Sequence, residues 1–453
     1  MFGKKYIRFD KVSVRGRQVE IRFSCSKRLE KYLSADTFYM EYDVAVDGVS
    51  RGLLAVPAVS VFVPLAWATG ADIYVEEMDE TFLRSLEDVK AVMRRWHPSF
   101  SFATEVVAAE VVHNEFHGKN YGLLFSGGLD SVVSYIRNRG LKPHLLSIWG
   151  LDVLTERRAL WKRVEMALSE FAEREGVPIH FIKSNARQLF NEPLLSVEFG
   201  ESWWVRVSHG LTTIGLCAPL VADGLGTVLI ASTRSFQHVG EVRYPLGSSP
   251  LVDNRISWAD VKVIHDSYDL NRQQKIKHVL KPFTETEYHP LLRVCTDPMQ
   301  TLNCGRCRKC LNTIVGLVLE GIDPNRCGFK VNGETLTFLK RSFLEREFVV
   351  FEHDFVAPEF IWRTDEWKEI QTEIPSSFDF DDCSSERFFS WLRDFDLVKY
   401  GMEMEQRMST KRVMAVLKFR LLGVALTILP FFPEAFVNLV KRVFATLSSS
   451  GMK

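Results

Sequence analysis

Between about residues 104 and 325, short apolar runs alternate with longer amphipathic segments, and this alternation constrains the fold more than any other feature of the chain. The amphipathic segments have helix-like spacing, for example over 154–175 and 205–222. Strands that alternate with helices are typical of βαβ units, which build a parallel sheet with helices on its faces. We therefore predict an α/β fold with strands at 121–125, 143–149, 179–183, 227–232 and 261–265.

The segments on either side of this block predict further structure. Apolar residues alternate over 5–25 around the turn candidate Arg15-Gly16-Arg17, which predicts a β-hairpin, and residues 80–95 have helical spacing. A chain of 453 residues is longer than one hydrophobic core usually serves. We predict three parts, listed in chain order: an N-terminal α+β domain over 1–103, an α/β domain over 104–327 and a mostly helical C-terminal region over 328–453.

Composition limits the classes of partner and the compartment. Lys+Arg and Asp+Glu are equal at 57 each, so we expect no bulk attraction to nucleic acid or to membranes. The apolar stretches Leu53–Thr69 and Leu421–Pro433 are short for a bilayer span, and we expect them to be buried or, for the second, to lie on a surface. No signal peptide pattern begins the sequence, which leads us to expect a cytoplasmic protein.

The segment YGLLFSGGLDSVVSY, residues 121–135, joins a predicted strand to a predicted helix. Glycines between them let the backbone approach an anion, and the helix offers unpaired N–H groups to it. Asp130 then either holds Mg²⁺ on a bound phosphate or caps the helix, so a plain strand–helix turn stays an alternative. The candidate nucleotide-binding residues are Ser126, Gly127, Gly128, Leu129, Asp130 and Ser131, and the last two are also the candidate catalytic residues.

Three basic residues further along the chain are candidates for neutralising a phosphate or a carboxylate. Arg234 follows a predicted strand, at the edge of the sheet where open α/β sheets bind ligands. Arg272 and Lys275 lie three residues apart on a predicted helix and hence on one face of it. The alternative for this pair is an ordinary solvated helix face. His209 is a weaker candidate for a base, and Trp203, Trp204 and Cys217 are expected to serve packing.

Four of the eight cysteines fall within sixteen residues, with the spacing C-x8-C-x2-C-x2-C. Such close spacing favours a metal site over disulfides, and tetrahedral Zn²⁺ is the simplest occupant. An iron–sulfur cluster or unligated thiols are the alternatives. Because four protein thiolates leave no open position, we expect a structural role. The predicted ligands are Cys295, Cys304, Cys307 and Cys310.

The sequence Ser-Gly-Gly-x-Asp-Ser resembles the pyrophosphate loop of the N-type ATP pyrophosphatases. Together with the cysteine cluster about 165 residues later, the α/β block over about 118–325 resembles the 7-cyano-7-deazaguanine synthases of queuosine biosynthesis. It differs from them in the segments that follow Trp149 and Tyr244-Pro245. With its additional N- and C-terminal parts, the chain is more similar to the larger synthase-like proteins of anti-phage defence operons.

This resemblance implies a fold of the adenine nucleotide alpha hydrolase-like (HUP) type and a ligase activity. ATP with Mg²⁺ would adenylate a 7-carboxy-7-deazaguanine-like acid, giving AMP and pyrophosphate. Ammonia or an amine, which an acceptor protein could carry, would then attack the acyl-adenylate to form an amide. The resemblance also implies an operon-encoded partner, and a homodimer is an open expectation. The alternatives are a tRNA sulfur transferase, which would use a cysteine outside the metal site, and a non-catalytic ATP-binding scaffold.

Overall fold

The computed structural model of the protein describes residues 4–200, 202–235, 245–295, 301–345, 360–377, 383–404 and 406. Eleven strands are described, namely β1 (Tyr6–Arg15), β2 (Gln18–Cys25), β3 (Thr37–Glu41), β4 (Asp72–Asp79), β5 (Val106–Val112), β6 (Asn120–Leu124), β7 (His144–Trp149), β8 (Ile179–Ser184), β9 (Leu225–Ala231), β10 (Ser257–Trp258) and β11 (Val261–Asp266).

The described residues form thirteen α-helical segments between and after these strands. They are α1 (Arg51–Thr69), α2 (Glu80–Trp96), α3 (Leu129–Asn138), α4 (Arg158–Glu175), α5 (Glu192–Phe199), α6 (His209–Gly215), α7 (Pro250–Asp253), α8 (Arg272–Lys275), α9 (Lys281–Thr286), α10 (Arg308–Leu319), α11 (Thr335–Glu345), α12 (Phe360–Glu373) and α13 (Cys383–Asp394). A π-helical turn, Trp203–Ser208, leads into α6, and another, Ile276–Leu280, joins α8 to α9.

All eleven strands belong to one sheet, in the order β10-β11-β9-β6-β7-β8-β3-β2-β1-β4-β5. The run from β11 to β8 is parallel throughout, as are the pairs β1–β4 and β4–β5. The protein is therefore an α/β protein with a large, mostly parallel sheet and flanking helices, which confirms the fold class at this level. The five strands predicted in the α/β block and the hairpin at 5–25 all form, with small shifts at their ends.

The direction of winding changes beside β6. The chain passes from β6 to β7 and β8 on one side, and then returns to place β9 and β11 on the other side. The carboxyl ends of β6 and β9 therefore flank a crevice where the connections diverge. In open α/β sheets, ligands bind at this position.

The N-terminal part of the chain extends the same sheet. Strand β3 pairs antiparallel with β8, through Met40 with Ser184 and Glu41 with Lys183. The sheet is thus continuous across the boundary expected near residue 103, and β5, which follows that boundary, pairs with β4. The division into three domains stays a prediction.

The apolar stretch that we expected to be buried forms α1, which is enclosed by the core along nearly its whole length. Within the described residues, two helices are long and apolar enough to cross a membrane, α1 and the segment Trp203–Asp223, but 94% and 83% of their apolar 18-residue stretches are buried inside the fold. Burial of this kind is typical of core helices, and it explains why α1 has no polar face. The second stretch, Leu421–Pro433, lies outside the described residues.

The C-terminal region is helical where it is described, in α11, α12, α13 and a further helical segment over 397–404. Its apolar side chains form a core of their own, which includes Phe343, Trp367 and Phe389. Leu311 and Val315 of α10 belong to the same core. The C-terminal helices are therefore packed on the helix that follows the cysteine cluster.

Candidate functional site

The Ser-Gly-Gly loop lies between the carboxyl end of β6 and the first turn of α3. Gly127 has φ +73°, and a Cβ atom there would lie 2.7 Å from Cδ2 of Leu168, so only glycine fits without strain. Gly128 is the N-cap residue of α3, and no side chain caps this helix. The first N–H groups of α3 are thus available to a ligand beside the crevice of the sheet.

The two loop serines face the same small region. The Ser126 and Ser131 Oγ atoms are 3.5 Å apart, and the Ser126 hydroxyl accepts a hydrogen bond from the Gly128 N–H at 3.3 Å. Ser126 is exposed, whereas Ser131 is buried and donates to the Gly128 carbonyl at 3.0 Å. Leu129 is also buried, so only its backbone can face a ligand. The loop therefore offers hydroxyl and N–H groups but little apolar surface.

Asp130 does not cap α3; it lies between two cations of α8. Lys275 donates to its Oδ1 at 3.0 Å, and Arg272 donates to its Oδ2 at 3.0 Å. The Lys275 side chain is fully buried and that of Arg272 is 10% exposed, so the alternative of a solvated helix face is wrong. Burial opposes ionisation of Asp130, but Lys275 and Arg272 outweigh it and lower the pKa of the carboxyl.

The same lysine connects the two strands that flank the crevice. Besides Asp130 of α3, Lys275 donates to the backbone carbonyl of Ser232, directly after β9. Arg234 follows two residues later, and its N–H donates to the Ser232 hydroxyl at 3.2 Å. The structure therefore brings together Asp130, Arg272 and Lys275, and it places Arg234 at the neighbouring strand end.

Three charged residues that the sequence analysis did not single out lie around the loop. The Arg293 N–H donates to the Gly127 carbonyl at 2.7 Å, and its guanidinium is 3.9 Å from Asp152. Partial desolvation opposes ionisation of Asp152, whose side chain is 59% exposed, but Arg293 and Lys309 lower the pKa of its carboxyl. Lys309 is half-buried, and burial lowers its pKa. A sequence signal existed for them, since Asp152 follows β7, Arg293 precedes the first cysteine of the cluster and Lys309 lies between the last two.

The C-terminal region also contributes carboxylates near the site. Glu366 of α12 accepts a hydrogen bond from Arg308. Burial opposes ionisation of Glu366, but Arg308 and Arg272 lower the pKa of its carboxyl. Burial, together with the neighbouring Glu366, raises the pKa of Glu369 to about 7. These contacts are made by segments distant in sequence, so no local pattern could have predicted them.

The four predicted metal ligands converge on one point. The Sγ atoms of Cys295 and Cys307 are 3.8 Å apart, those of Cys304 and Cys310 are 4.0 Å apart, and all four lie within 4.8 Å of one another. Zn–S bonds of about 2.3 Å in a tetrahedron give sulfur–sulfur distances of about 3.8 Å. No disulfide joins these thiols. The cluster could bind a metal such as zinc.

The backbone of this cluster is shaped for metal binding as well. The N–H groups of Arg306 and Cys307 point to the Cys304 sulfur at 3.4 and 3.2 Å, which stabilises a thiolate. Gly305 has φ +71°, which makes this tight turn possible. Cys307 is the N-cap residue of α10, the helix that carries Lys309. A bound metal would thus fix Lys309 and the preceding Arg293 beside the loop.

No family model, curated protein or solved structure matches this chain. The assignment of a family, an activity and the partners therefore rests on the residues themselves. The weaker candidates lie in different surroundings. His209 is half-buried against Trp204, with ring centroids 5.0 Å apart, and burial lowers the pKa of its imidazole. Trp203 and Cys217 are buried in the main core, as expected for packing residues.

Proposed function

We propose that the protein is an AMP-forming ligase that adenylates a 7-carboxy-7-deazaguanine-like acid and transfers the acyl group to ammonia or an amine. The observation that carries the proposal is the pairing of the loop with buried cations at the point where the sheet changes direction. The finer fold assignment, a HUP-type nucleotide-binding fold, belongs to the same proposal. So do an anti-phage setting, a cytoplasmic location, a protein acceptor and a homodimer.

In this proposal the pyrophosphate portion of ATP lies on the loop. The N–H groups of α3 and the hydroxyls of Ser126 and Ser131 would bind the β- and γ-phosphates, and Lys275 and Arg272 would oppose the charge that grows as pyrophosphate leaves. Both oxygens of Asp130 already accept from these cations. We therefore assign Asp130 the task of orienting them. Mg²⁺ would then be held chiefly by phosphate oxygens.

The reaction has two steps with balanced chemistry. A carboxylate oxygen of the acid attacks the α-phosphorus of ATP, the bond to the β-phosphate breaks, and pyrophosphate leaves. An amine nitrogen then attacks the acyl carbon, AMP leaves with the electron pair of the C–O bond, and the nitrogen loses a proton. Arg234 and Arg293, on two sides of the crevice, are suited to bind the acid or the α-phosphate.

Zinc is the proposed occupant of the cysteine cluster, in a structural role. Four thiolates complete a tetrahedral shell, so the ion has no position for substrate. Arg293 precedes the cluster, and Arg308 and Lys309 begin α10, between the last two cysteines of the cluster. Zinc would therefore contribute to the reaction only by holding these cations in place.

The cysteines weigh against the sulfur-transfer alternative. That reaction uses a reactive cysteine outside the metal site. Among the cysteines whose side chains the structure describes, Cys217 and Cys327 are buried and Cys25 is half-buried. Burial raises the pKa of the Cys25 thiol to about 11 and that of Cys327 to about 12. Neither thiol is activated in this state.

The test is an incubation of the full chain with ATP, Mg²⁺ and 7-carboxy-7-deazaguanine, with AMP and pyrophosphate measured. We expect AMP formation that depends on the acid and that is lost in Lys275→Met. Mass spectrometry with ammonia or with candidate acceptor proteins would then identify the acylated product. ATP binding without AMP in every mixture would leave the scaffold alternative and refute the ligase.

A further inference from the structure

A second group of metal-ligating side chains lies on the opposite edge of the sheet from the loop. His144 is the first residue of β7, His180 is the second residue of β8, and Asp223 lies two residues before the start of β9. All three are therefore at the amino ends of parallel strands, whereas the loop is at a carboxyl end. The two ends of a five-residue strand are about 15 Å apart, so the two groups are separated by about this distance.

Three atoms of this group form a nearly equilateral triangle. Nδ1 of His144 and Nε2 of His180 are 3.2 Å apart. Oδ2 of Asp223 lies 3.2 Å from the first of these nitrogens and 3.1 Å from the second. Each atom is thus within hydrogen-bond distance of both others.

While Asp223 is a carboxylate and both imidazoles are neutral, hydrogen bonds satisfy this triangle only when both nitrogens donate to the same Asp223 oxygen. A neutral imidazole nitrogen carries either a proton or a lone pair. If only one of the two nitrogens carries a proton, the lone pair of the other faces a carboxylate oxygen. A cation at the centre suits the same three atoms, because all three lone pairs can then point at it.

The dimensions fit a divalent transition metal. Bonds of about 2.0–2.1 Å from the metal give ligand–ligand distances of about 2.8–3.0 Å in octahedral geometry and about 3.3–3.4 Å in tetrahedral geometry, and the observed distances lie between these two ranges. The other ring nitrogen of His180, Nδ1, is 3.0 Å from Oδ1 of Asp43. A carboxylate on the far nitrogen of a histidine ligand fixes its tautomer and orientation, which is a usual feature of metal sites.

The surroundings allow an ion to enter and to be held. The three side chains line a cavity of about 10 Å³, which is room for about one water molecule or ion. The exposed fractions are 20% for His144, 10% for His180 and 36% for Asp223, so the group is reached from solvent on the aspartate side. The Asn120 side chain holds the backbone carbonyl of Asp223 at 2.8 Å and so fixes the third ligand.

We propose that His144, His180 and Asp223 bind a divalent transition metal, with zinc the preferred ion and a water molecule completing its shell. The site connects the beginnings of β7, β8 and β9. The contact between His180 and Asp43 also connects the site to the segment that follows β3, in the N-terminal part of the chain. It is separate from the cysteine cluster in both ligands and position.

The first test is the metal content of the full chain purified from zinc-supplemented medium. We expect Asp223→Asn, which keeps the size of the side chain, to lose about one zinc per chain relative to the wild type. Asp43→Asn should keep the ligands and weaken zinc binding by about 10- to 100-fold in a chelator competition. His117→Gln, at an exposed histidine elsewhere, is the matched control and should leave the zinc content unchanged.

The second test uses the wild type and does not depend on the folding of a variant. Anomalous diffraction at the zinc edge should give a peak between the two histidines and the aspartate, in addition to any peak at the cysteines. Absence of this peak from zinc-supplemented crystals would overturn the proposal, as would an unchanged zinc content in folded Asp223→Asn. Neither result depends on whether the ligase proposal is correct.

Discussion

The ion pair between Asp130 and Lys275 should be worth far more than the surface ion pairs of this protein, because it is closed from solvent. The lysine side chain is fully buried and the aspartate is 18% exposed, with 3.0 Å between Nζ and Oδ1. At an effective dielectric constant of about 20, two unit charges at this distance attract by about 5 kcal/mol. Arg272 continues to pair with Asp130 when the lysine is removed, so the measured coupling should be smaller, about 2–3 kcal/mol.

A double-mutant cycle with Asp130→Asn and Lys275→Met measures this coupling directly. Asp130→Asn leaves two cations without their counter-charge and should lower the free energy of unfolding by about 3–4 kcal/mol. Lys275→Met should cost about 2–3 kcal/mol, and the double variant should be about 2–3 kcal/mol more stable than the sum of the single effects predicts. Urea unfolding of the full chain, followed by tryptophan fluorescence and far-ultraviolet circular dichroism, provides the free energies.

The chain offers a matched control between the same two segments. Arg137 of α3 and Asp269, just before α8, form an ion pair at 2.5 Å whose side chains are 33% and 56% exposed. The cycle Arg137→Met with Asp269→Asn should give a coupling of about 0–1 kcal/mol. If the effects of Asp130→Asn and Lys275→Met add to within about 0.5 kcal/mol, or if their coupling energy is no larger than that of the control pair, the reasoning from burial is refuted.

Three further predictions concern the loop, the cysteines and the C-terminal helix. Gly127→Ala should lower the free energy of unfolding by about 1–2 kcal/mol, because φ of residue 127 is positive and the new methyl group would meet the side chain of Leu168. Gly140→Ala is the control: a Cβ atom there has no neighbour within 4 Å, so the same urea assay should show little effect. Cys307→Ser should lose about one zinc per chain by mass spectrometry of metals and lower the melting temperature. The pKa of Glu369 is raised to about 7, so its contribution to the free energy of unfolding is full below pH 4.5 and is lost as pH rises through 7. The loss should reach about 3 kcal/mol. In Glu369→Gln, the free energy of unfolding should no longer fall with pH over this range.

Each of these has an outcome that contradicts it. Equal unfolding free energies for the two glycine variants would mean that the loop relaxes around a side chain. An unchanged zinc content in Cys307→Ser would mean that the other three thiols suffice or that zinc binds elsewhere. A stability profile of Glu369→Gln that parallels the wild type between pH 5 and pH 8 would mean that another group titrates in this range.

The strands of the parallel sheet could be predicted because each is a short buried run, and burial on both faces leaves a continuous apolar signal in the sequence. The extent of the sheet could not, since the pairing of β3 with β8 depends on two backbones that meet only in the folded chain. The Ser-Gly-Gly loop could also be recognised from the sequence, because its glycines and serines lie within six consecutive residues. Lys275 was a candidate cation, but its pairing with Asp130 could not be predicted, because the two residues lie 145 positions apart.

The two candidate metal sites illustrate the same limit. The cysteine ligands lie within sixteen residues, so their spacing alone indicates that one ion can reach them all. In the second site, His144 and His180 are 36 residues apart and His180 and Asp223 are 43 residues apart. No short sequence motif contains these ligands. They meet because β7 and β8 begin side by side, and the segment that leads into β9 passes the same ends of these parallel strands. Ligands that parallel strands bring together in this way are separated in sequence by whole helices, so spacing alone does not indicate them.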